Sequence, residues 1–317
     1  MGKIVNAMAL SHAFAMRDPS TWDEGRQQNR SRYIERQGKE PPVPPGLAAA
    51  SPADDAIRFE HIRSAQEKLR KELAQSKPDI VIVVGDDQNE NLGKDLMPQI
   101  AVYTGGDYIA KMRHSRAGRS YRAEQAFSLK LLEAGVKRGF DIASIGSFAD
   151  NTLMSHAHVQ ALDTLFPEDP PATVIVFVNA IHHPAPEPSR CFALGELLAD
   201  VVRDLPDDAR VAICGSGGMS HFTASYPWKT YKGPFSYGGI SEDFDRKLIS
   251  QLNAGDISRI ASLSSEDLLQ HGEVEFRAWI VVAGAMRGAK TSMSVYEPFY
   301  RALMGMGVAA WAPAATV

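Results

Sequence analysis

Ser220 and His221 close the stretch Ile213-Cys214-Gly215-Ser216-Gly217-Gly218-Met219-Ser220-His221-Phe222, in which a glycine-built bend delivers an imidazole. Imidazole takes and gives a proton near neutral pH, and glycines let the surrounding backbone come close to a ligand. By itself a Gly-Gly turn with one histidine reads as a loop. Other reactive residue types collect in similar places. His12 follows the apolar run 3–10, and Gly85-Asp86-Asp87-Gln88-Asn89-Glu90-Asn91 follows the β-branched run 80–84. His182 and His183 follow a third apolar run at 173–179, while His156 and Glu275 sit beside helical or loop segments. Carboxylates and amides crowded behind a buried strand are costly unless they face solvent, a cavity or a metal. Two histidines and a carboxylate on one face of an ion, with positions left open, form the donor set of non-haem Fe(II) oxygenases. A metal site at converging strand ends is therefore one reading, and a set of solvated turns is the other.

Bringing these residues together needs a scaffold whose strands end at one edge. Helical patterns span 54–75 (Ile57, Ile62, Ala65 and Leu69 on one face), 123–138, 190–204, 241–253, 264–271 and 275–286. Strand-like runs lie between them at 142–145 and 210–213, and 308–313 closes the chain as an edge strand. Such alternation predicts an α/β fold with a mainly parallel or mixed central sheet flanked by helices, its active site at the strand ends. We expect one catalytic domain over 1–317, with a proline-rich loop insertion near 38–53 around Pro41-Pro42-Val43-Pro44-Pro45.

The bulk properties narrow the function classes. A net charge of −4 with acidic and basic residues mixed over 317 residues gives no basic stripe for nucleic acid or a membrane surface. The only two cysteines, Cys191 and Cys214, form no metal-binding spacing and no disulfide framework. No run reaches the roughly 20 apolar residues of a membrane helix. The expected location is the cytoplasm.

Taken together, His12 after the first strand, the Asp86-Asp87-Gln88 turn, Pro184-Ala185-Pro186-Glu187-Pro188-Ser189-Arg190-Cys191-Phe192-Ala193-Leu194-Gly195, the Gly215 to His221 bend, and Glu275 with Trp279 carry a resemblance. The chain resembles the class III extradiol ring-cleavage dioxygenases, the family of the protocatechuate 4,5-dioxygenase catalytic subunit. Its start, Ser11-His12-Ala13-Phe14-Ala15-Met16 with Trp22, and its Gly85 to Glu90 turn most resemble the branch containing 3-O-methylgallate dioxygenase.

The resemblance implies Fe(II), with Mn(II) less favoured, and O2-dependent meta cleavage of a catechol-type aromatic acid such as 3-O-methylgallate, gallate or protocatechuate. It implies His12 and Glu275 as metal ligands, His221 as the acid/base residue, and His156 as a second catalytic histidine. His182, His183 and Ser220 are implied on the substrate side. Where the family carries its second ligand histidine this chain has Asp86-Asp87-Gln88, so either the Gln88 amide oxygen or the Glu90 carboxylate takes that place. Arg113, Arg119, Lys229 and Lys232 are candidate partners for a substrate carboxylate. A homodimer is expected, with a small helical partner subunit as the alternative. Two rival functions remain: a hydrolase or lyase using Ser220 and His221, and a silent member of the family acting as a binding module.

Overall fold

A computed structural model describes residues 1–317 apart from 17, 94–95, 111–117, 149–153, 223–237 and 313–317. The first part of the chain runs β1 (Lys3–Leu10), α1 (Trp22–Gln37), α2 (Pro52–Ser76), β2 (Ile80–Gly85), β3 (Ile100–Tyr103), β4 (Tyr108–Ala110), β5 (Arg119–Tyr121), α3 (Gln125–Lys137), β6 (Ile142–Ile145), α4 (His156–Leu165) and β7 (Ala172–Val178). The rest runs α5 (Pro188–Arg203), β8 (Arg210–Ser216), α6 (Glu242–Ala254), α7 (Ile257–Ala261), α8 (Ser265–Gln270), α9 (Arg277–Ala285), β9 (Thr291–Phe299) and β10 (Met304–Trp311).

Eight strands form one sheet in the order β6-β3-β7-β2-β8-β1-β10-β9. Its centre, β7-β2-β8-β1, is parallel, while β3 runs antiparallel to β7, β10 to β1, and β9 to β10. This is the expected mixed α/β sheet. Every residue of β2 is buried, which explains why Ile-Val-Ile-Val-Val reads as an unbroken apolar run rather than an alternating one. Helices cover both faces. Phe127, Leu131, Leu194, Leu197, Val281, Val282 and Leu248 place α3, α5, α9 and α6 on one core; Ile62, Leu69, Val159 and Leu162 place α2 and α4 on the other. Each such side chain, fully buried, contributes about 1.5–3 kcal/mol. Helices α5 and α9 touch backbone to backbone, because a Cβ on Gly195 would strike the Val281 carbonyl and one on Gly284 the Phe192 carbonyl.

Two expectations change. On α2 the buried stripe is Ile62, Ala65, Leu69 and Leu73, whereas Ile57 is 57 % exposed. Five residues at about 100° each carry Ile57 roughly 140° away from Ile62, off the core face. The closing strand is not at an edge: β10 lies between β1 and β9, and all its residues are buried. The edge is β9, whose serines and Pro298 masked a strand pattern. The short strands β3, β4 and β5, of three or four residues, left too little periodicity to read. Among the described residues no helix is long and apolar enough to cross a membrane.

Candidate metal centre and active site

The four parallel strands point their carboxyl ends to one edge, and each is followed by residues named from the sequence. Beyond β1, Ser11 is bonded to Gly307 of β10 in both directions, N–H to carbonyl at 2.9 Å and hydroxyl from N–H at 2.9 Å. That clamp sets His12, 3 % exposed, at the edge. Beyond β2, Asp86 follows Gly85 and is equally buried at 3 %. Glu275, 2 % exposed, arrives from the turn before α9. One ligand atom each from His12, Asp86 and Glu275 lies within 4.8 Å of the other two.

The rest of the Gly85 to Asn91 turn is built to hold Asp86 in place. Asp87 accepts backbone N–H bonds from Glu90, Asn91 and Leu92 at 2.9, 2.9 and 3.0 Å, a local cap that shapes the loop. Gln88 donates its amide to Glu275 Oε1 at 2.8 Å. Glu90 accepts from the His156 backbone N–H at 2.7 Å and pairs with His156 Nδ1 at 2.8 Å. The two residues expected to replace the missing histidine therefore reach Glu275 and His156, and the carboxylate grouped with His12 and Glu275 is Asp86, two residues before Gln88.

His221, 8 % exposed, approaches the same cluster from the β8 bend. Its Nδ1 donates to the Met219 carbonyl at 2.8 Å, which leaves Nε2 directed at Glu275 Oε1, 3.6 Å away. Gly217 has φ +148° and lies so close to Glu275 that a Cβ there would be 2.9 Å from its carbonyl oxygen. Only glycine fits both the conformation and the gap. Trp279 Nε1 donates to the Gly217 carbonyl at 2.9 Å and pins the bend from α9. His156 is the first residue of α4, capped by Ser155, and its ring centroid lies 5.1 Å from that of His12 in an edge-on arrangement.

The remaining candidates sit elsewhere. Ser220 donates to Asp245 Oδ2 at 2.7 Å and accepts from the Ser241 N–H at 2.8 Å, so its hydroxyl faces the interior behind His221. His182 donates to the Asn89 amide oxygen at 2.7 Å, linking the β7 and β2 loops, and His183 is exposed. Arg119 is engaged with Asp163 and the Phe166 carbonyl, both at 3.0 Å. Arg113, Lys229 and Lys232 lie outside the described residues.

A second buried acidic group went unread in the sequence. Asp245, on α6, takes the Ser220 N–H at 3.2 Å, the Ser220 hydroxyl and the Tyr296 hydroxyl at 2.6 Å, and it is fully buried beside Glu273. Burial, then mutual repulsion with Asp245, holds the Glu273 carboxyl well above the ordinary range. Asp245 sits in an amphipathic run whose acids read as a solvated face, so no sequence signal distinguished it.

Electrostatics favour a cation in the main cluster. Burial, reinforced by Glu275, Asp87 and Glu90, pushes the Asp86 carboxyl far up. Burial pulls His12 down to about 3 against the opposing pull of Glu275, so its imidazole is neutral. His221 is raised: burial lowers it, but Glu275, the Met219 carbonyl and Asp245 together outweigh that. Among the described residues, His12 Nε2 and both Asp86 oxygens have no hydrogen-bond partner outside Asp86's own backbone. Buried carboxylates are paired or bind metals, and one imidazole nitrogen with two carboxylates suits a divalent first-row ion. The donor set fits a metal.

Comparison with known proteins gives a consistent picture. A family model described as the catalytic LigB subunit of aromatic ring-opening dioxygenase matches residues 41–307, a span that holds Asp86, His221 and Glu275 and begins after His12. The chain is 25 % identical over 299 residues to the 2,3-dihydroxyphenylpropionate/2,3-dihydroxicinnamic acid 1,2-dioxygenase of Rhodococcus jostii, covering 81 % of this chain and 90 % of that protein. A protein of the same description from a Rhodococcus species is 23 % identical over 292 residues, covering 78 % and 89 % of the two chains. That of Mycolicibacterium smegmatis reaches 30 % identity over 173 residues, 54 % of this chain and 52 % of the other.

Proposed function

Because the chain belongs to the family of the catalytic LigB subunit of aromatic ring-opening dioxygenases, and so is an extradiol-type enzyme acting on a catechol-like ring, we propose that it opens a carboxylated catechol using O2 and Fe(II) held by His12, Asp86 and Glu275. The observation that carries this reading is the convergence of those three ligand atoms within 4.8 Å, with His221 beside them. Mn(II) is the runner-up ion for the same donors. Fe(II), when bound, supplies the redox partner and the open positions that a diol and dioxygen need in order to react.

The chain's own residues supply the proton chemistry. His221 keeps its Nδ1 proton on the Met219 carbonyl, so Nε2 is the nitrogen that accepts a phenolic proton and later returns it. Glu90 holds His156 by both its backbone and its ring, which fixes that imidazole beside His12 as a second polar wall for the diol. Gln88 keeps Glu275 from rotating by donating to its Oε1. Burial of His12, His156, His221 and Glu275 to 8 % exposure or less excludes competing water and strengthens each interaction.

The substrate acids considered are 3-O-methylgallate, gallate and protocatechuate, together with the dihydroxyphenylpropionate class named for the relatives. Oxygen uptake with these four compounds, measured on anaerobically Fe(II)-loaded and on metal-free protein, tests the proposal. Uptake with at least one of them, and only when metal is present, is the expected result. No uptake with any loaded combination would remove the ring-opening assignment in favour of a silent binding module.

A further inference from the structure

We propose that Ser216 is a positioning residue for the metal site: its hydroxyl fixes His12 in the tautomer that carries its proton on Nδ1, and so presents a bare Nε2 lone pair to the ion. This rests on the metal site proposed above. Ser216 is the last residue of β8, and the β1/β8 register pairs it with Leu10, so the chain leaving β1 brings His12 back over it. The two side chains meet at 3.1 Å between His12 Nδ1 and Ser216 Oγ, both fully inside the protein at 3 % and 1 % exposure.

Which atom owns the proton in that contact follows from a third group. Ser216 Oγ also bonds the carbonyl oxygen of Ala157, the second residue of α4. A carbonyl oxygen has no hydrogen to give, and a serine hydroxyl has a single one. The Ser216 hydrogen is therefore spent on Ala157. Toward His12 the hydroxyl can only accept, and the hydrogen between them belongs to Nδ1. In a neutral imidazole the other nitrogen is then unprotonated. That other nitrogen, Nε2, has no hydrogen-bond partner among the described residues and lies 3.9 Å from Glu275 Oε2, on the side where the ligand atoms gather.

The opposite tautomer would leave two faults at once. Nδ1 and Ser216 Oγ would face each other with no hydrogen between them, and an Nε2 proton would point into the space between carboxylates where an ion must sit. Orienting partners of ligand histidines typically govern about 10–100-fold in metal affinity. The motif gives this serine no prominence, because Gly215-Ser216-Gly217 reads as turn chemistry. Its role appears only when β1, β8 and α4 are assembled.

The test reads tautomer and metal affinity separately from turnover. In metal-free wild-type protein labelled with ¹⁵N-histidine, and assigned against a His12→Asn variant, the His12 nitrogen shifts should show a protonated Nδ1 and a bare Nε2. Ser216→Ala should admit the Nε2-protonated form and weaken Fe(II) binding about 10–100-fold in an anaerobic chelator competition, while Ser216→Thr, which keeps the hydroxyl, stays near wild type. A wild-type His12 protonated on Nε2 would overturn the proposal, as would a Ser216→Ala protein with unchanged tautomer and unchanged affinity. If the wild-type protein bound no Fe(II) at all, the metal reading would fall instead, and the tautomer measurement would still judge the role of Ser216.

Discussion

Replacing Asp86 by Asn should strengthen the metal-free protein and weaken metal binding in the same variant. In the folded chain Asp86 is 3 % exposed, its oxygens have no partner from another residue among the described residues, and burial together with Glu275, Asp87 and Glu90 raises its carboxyl far above the usual range. At pH 7 the native state therefore carries either an unpaired buried charge or the cost of protonating it. An unsatisfied buried polar group costs about 1–3 kcal/mol, more when charged. Asp86→Asn removes the charge at nearly constant shape, so the metal-free variant should gain on that order, with a melting temperature higher by about 2 °C per kcal/mol. Loss of a ligand should weaken Fe(II) by at least ~100-fold, the upper end of what losing a ligand's orienting neighbour costs. Linkage then separates the two proteins: at an Fe(II) concentration of 100 times the wild-type Kd the wild type gains about 2.7 kcal/mol, and a variant binding 100-fold more weakly gains only about 0.4 kcal/mol. Thermal melts of chelator-stripped and anaerobically reloaded protein measure both. A metal-free Asp86→Asn protein less stable than wild type, still stabilised by Fe(II) to the full extent, would refute the reasoning and return the ligand position to Gln88 or Glu90.

Three further outcomes are expected. His221→Ala should keep Fe(II) binding within about threefold yet lose ring opening by about 10²-fold or more in single-turnover oxygen consumption; full turnover would remove His221 from proton transfer. Asp245→Ala takes the acceptor from Ser220 and Tyr296 in a fully buried network, so urea denaturation should show a loss of roughly 2–4 kcal/mol, whereas a change under 0.5 kcal/mol would mean the network carries no strength. Burial lowers His12 to about 3 and His158 to about 4. A histidine lowered in the folded state gives stability that is complete above its unfolded value near 6.5 and is lost as pH falls toward the folded value. At pH 5 each should have cost about 2 kcal/mol. Asp86 and Glu273, raised in the fold, act in the opposite sense, so the clean measurement is the difference between wild type and His158→Leu over pH 7 to 5, which should narrow as the pH falls; a constant difference would show that His158 does not titrate there.

How much of this was legible beforehand varied with the physics of each element. Strands β2, β7 and β8 announced themselves because a strand covered on both faces must be apolar at every position. Polar residues beyond strand ends were legible for the same reason: His12 after β1 and His221 after β8 are polar groups placed where polarity is expensive, whereas Glu275, in the turn before α9, was read from the family resemblance. Asp86 stood in the same quoted turn but was passed over, because the count from the missing histidine led to Gln88 and the charge argument led to Glu90. In the fold, side-chain reach groups Asp86 with His12 and Glu275 while Gln88 and Glu90 bond Glu275 and His156, and a spacing carries no information about which way an amide or carboxylate turns. Asp245, Glu273 and Ser216 gave no signal, since their partners lie on other elements. For the Ser216 bond to His12 the partner is 204 residues away in the chain.

The clamp between Ser11 and Gly307 also sets an order of events. Strand β1 is made well before β10, and the register joining Leu10 to Val308 cannot form until almost 300 further residues have been made. Strand β8 already holds β1 along its other side and meets His12 through Ser216, but until β10 lies between β1 and β9 the second hold on the chain after Leu10, the Ser11 clamp to Gly307, is missing. Pairings between distant segments are slow to close. The proposed ion pocket thus gains its last backbone support from the last strand of the sheet, and a chain lacking that strand would hold His12 from the β8 side alone.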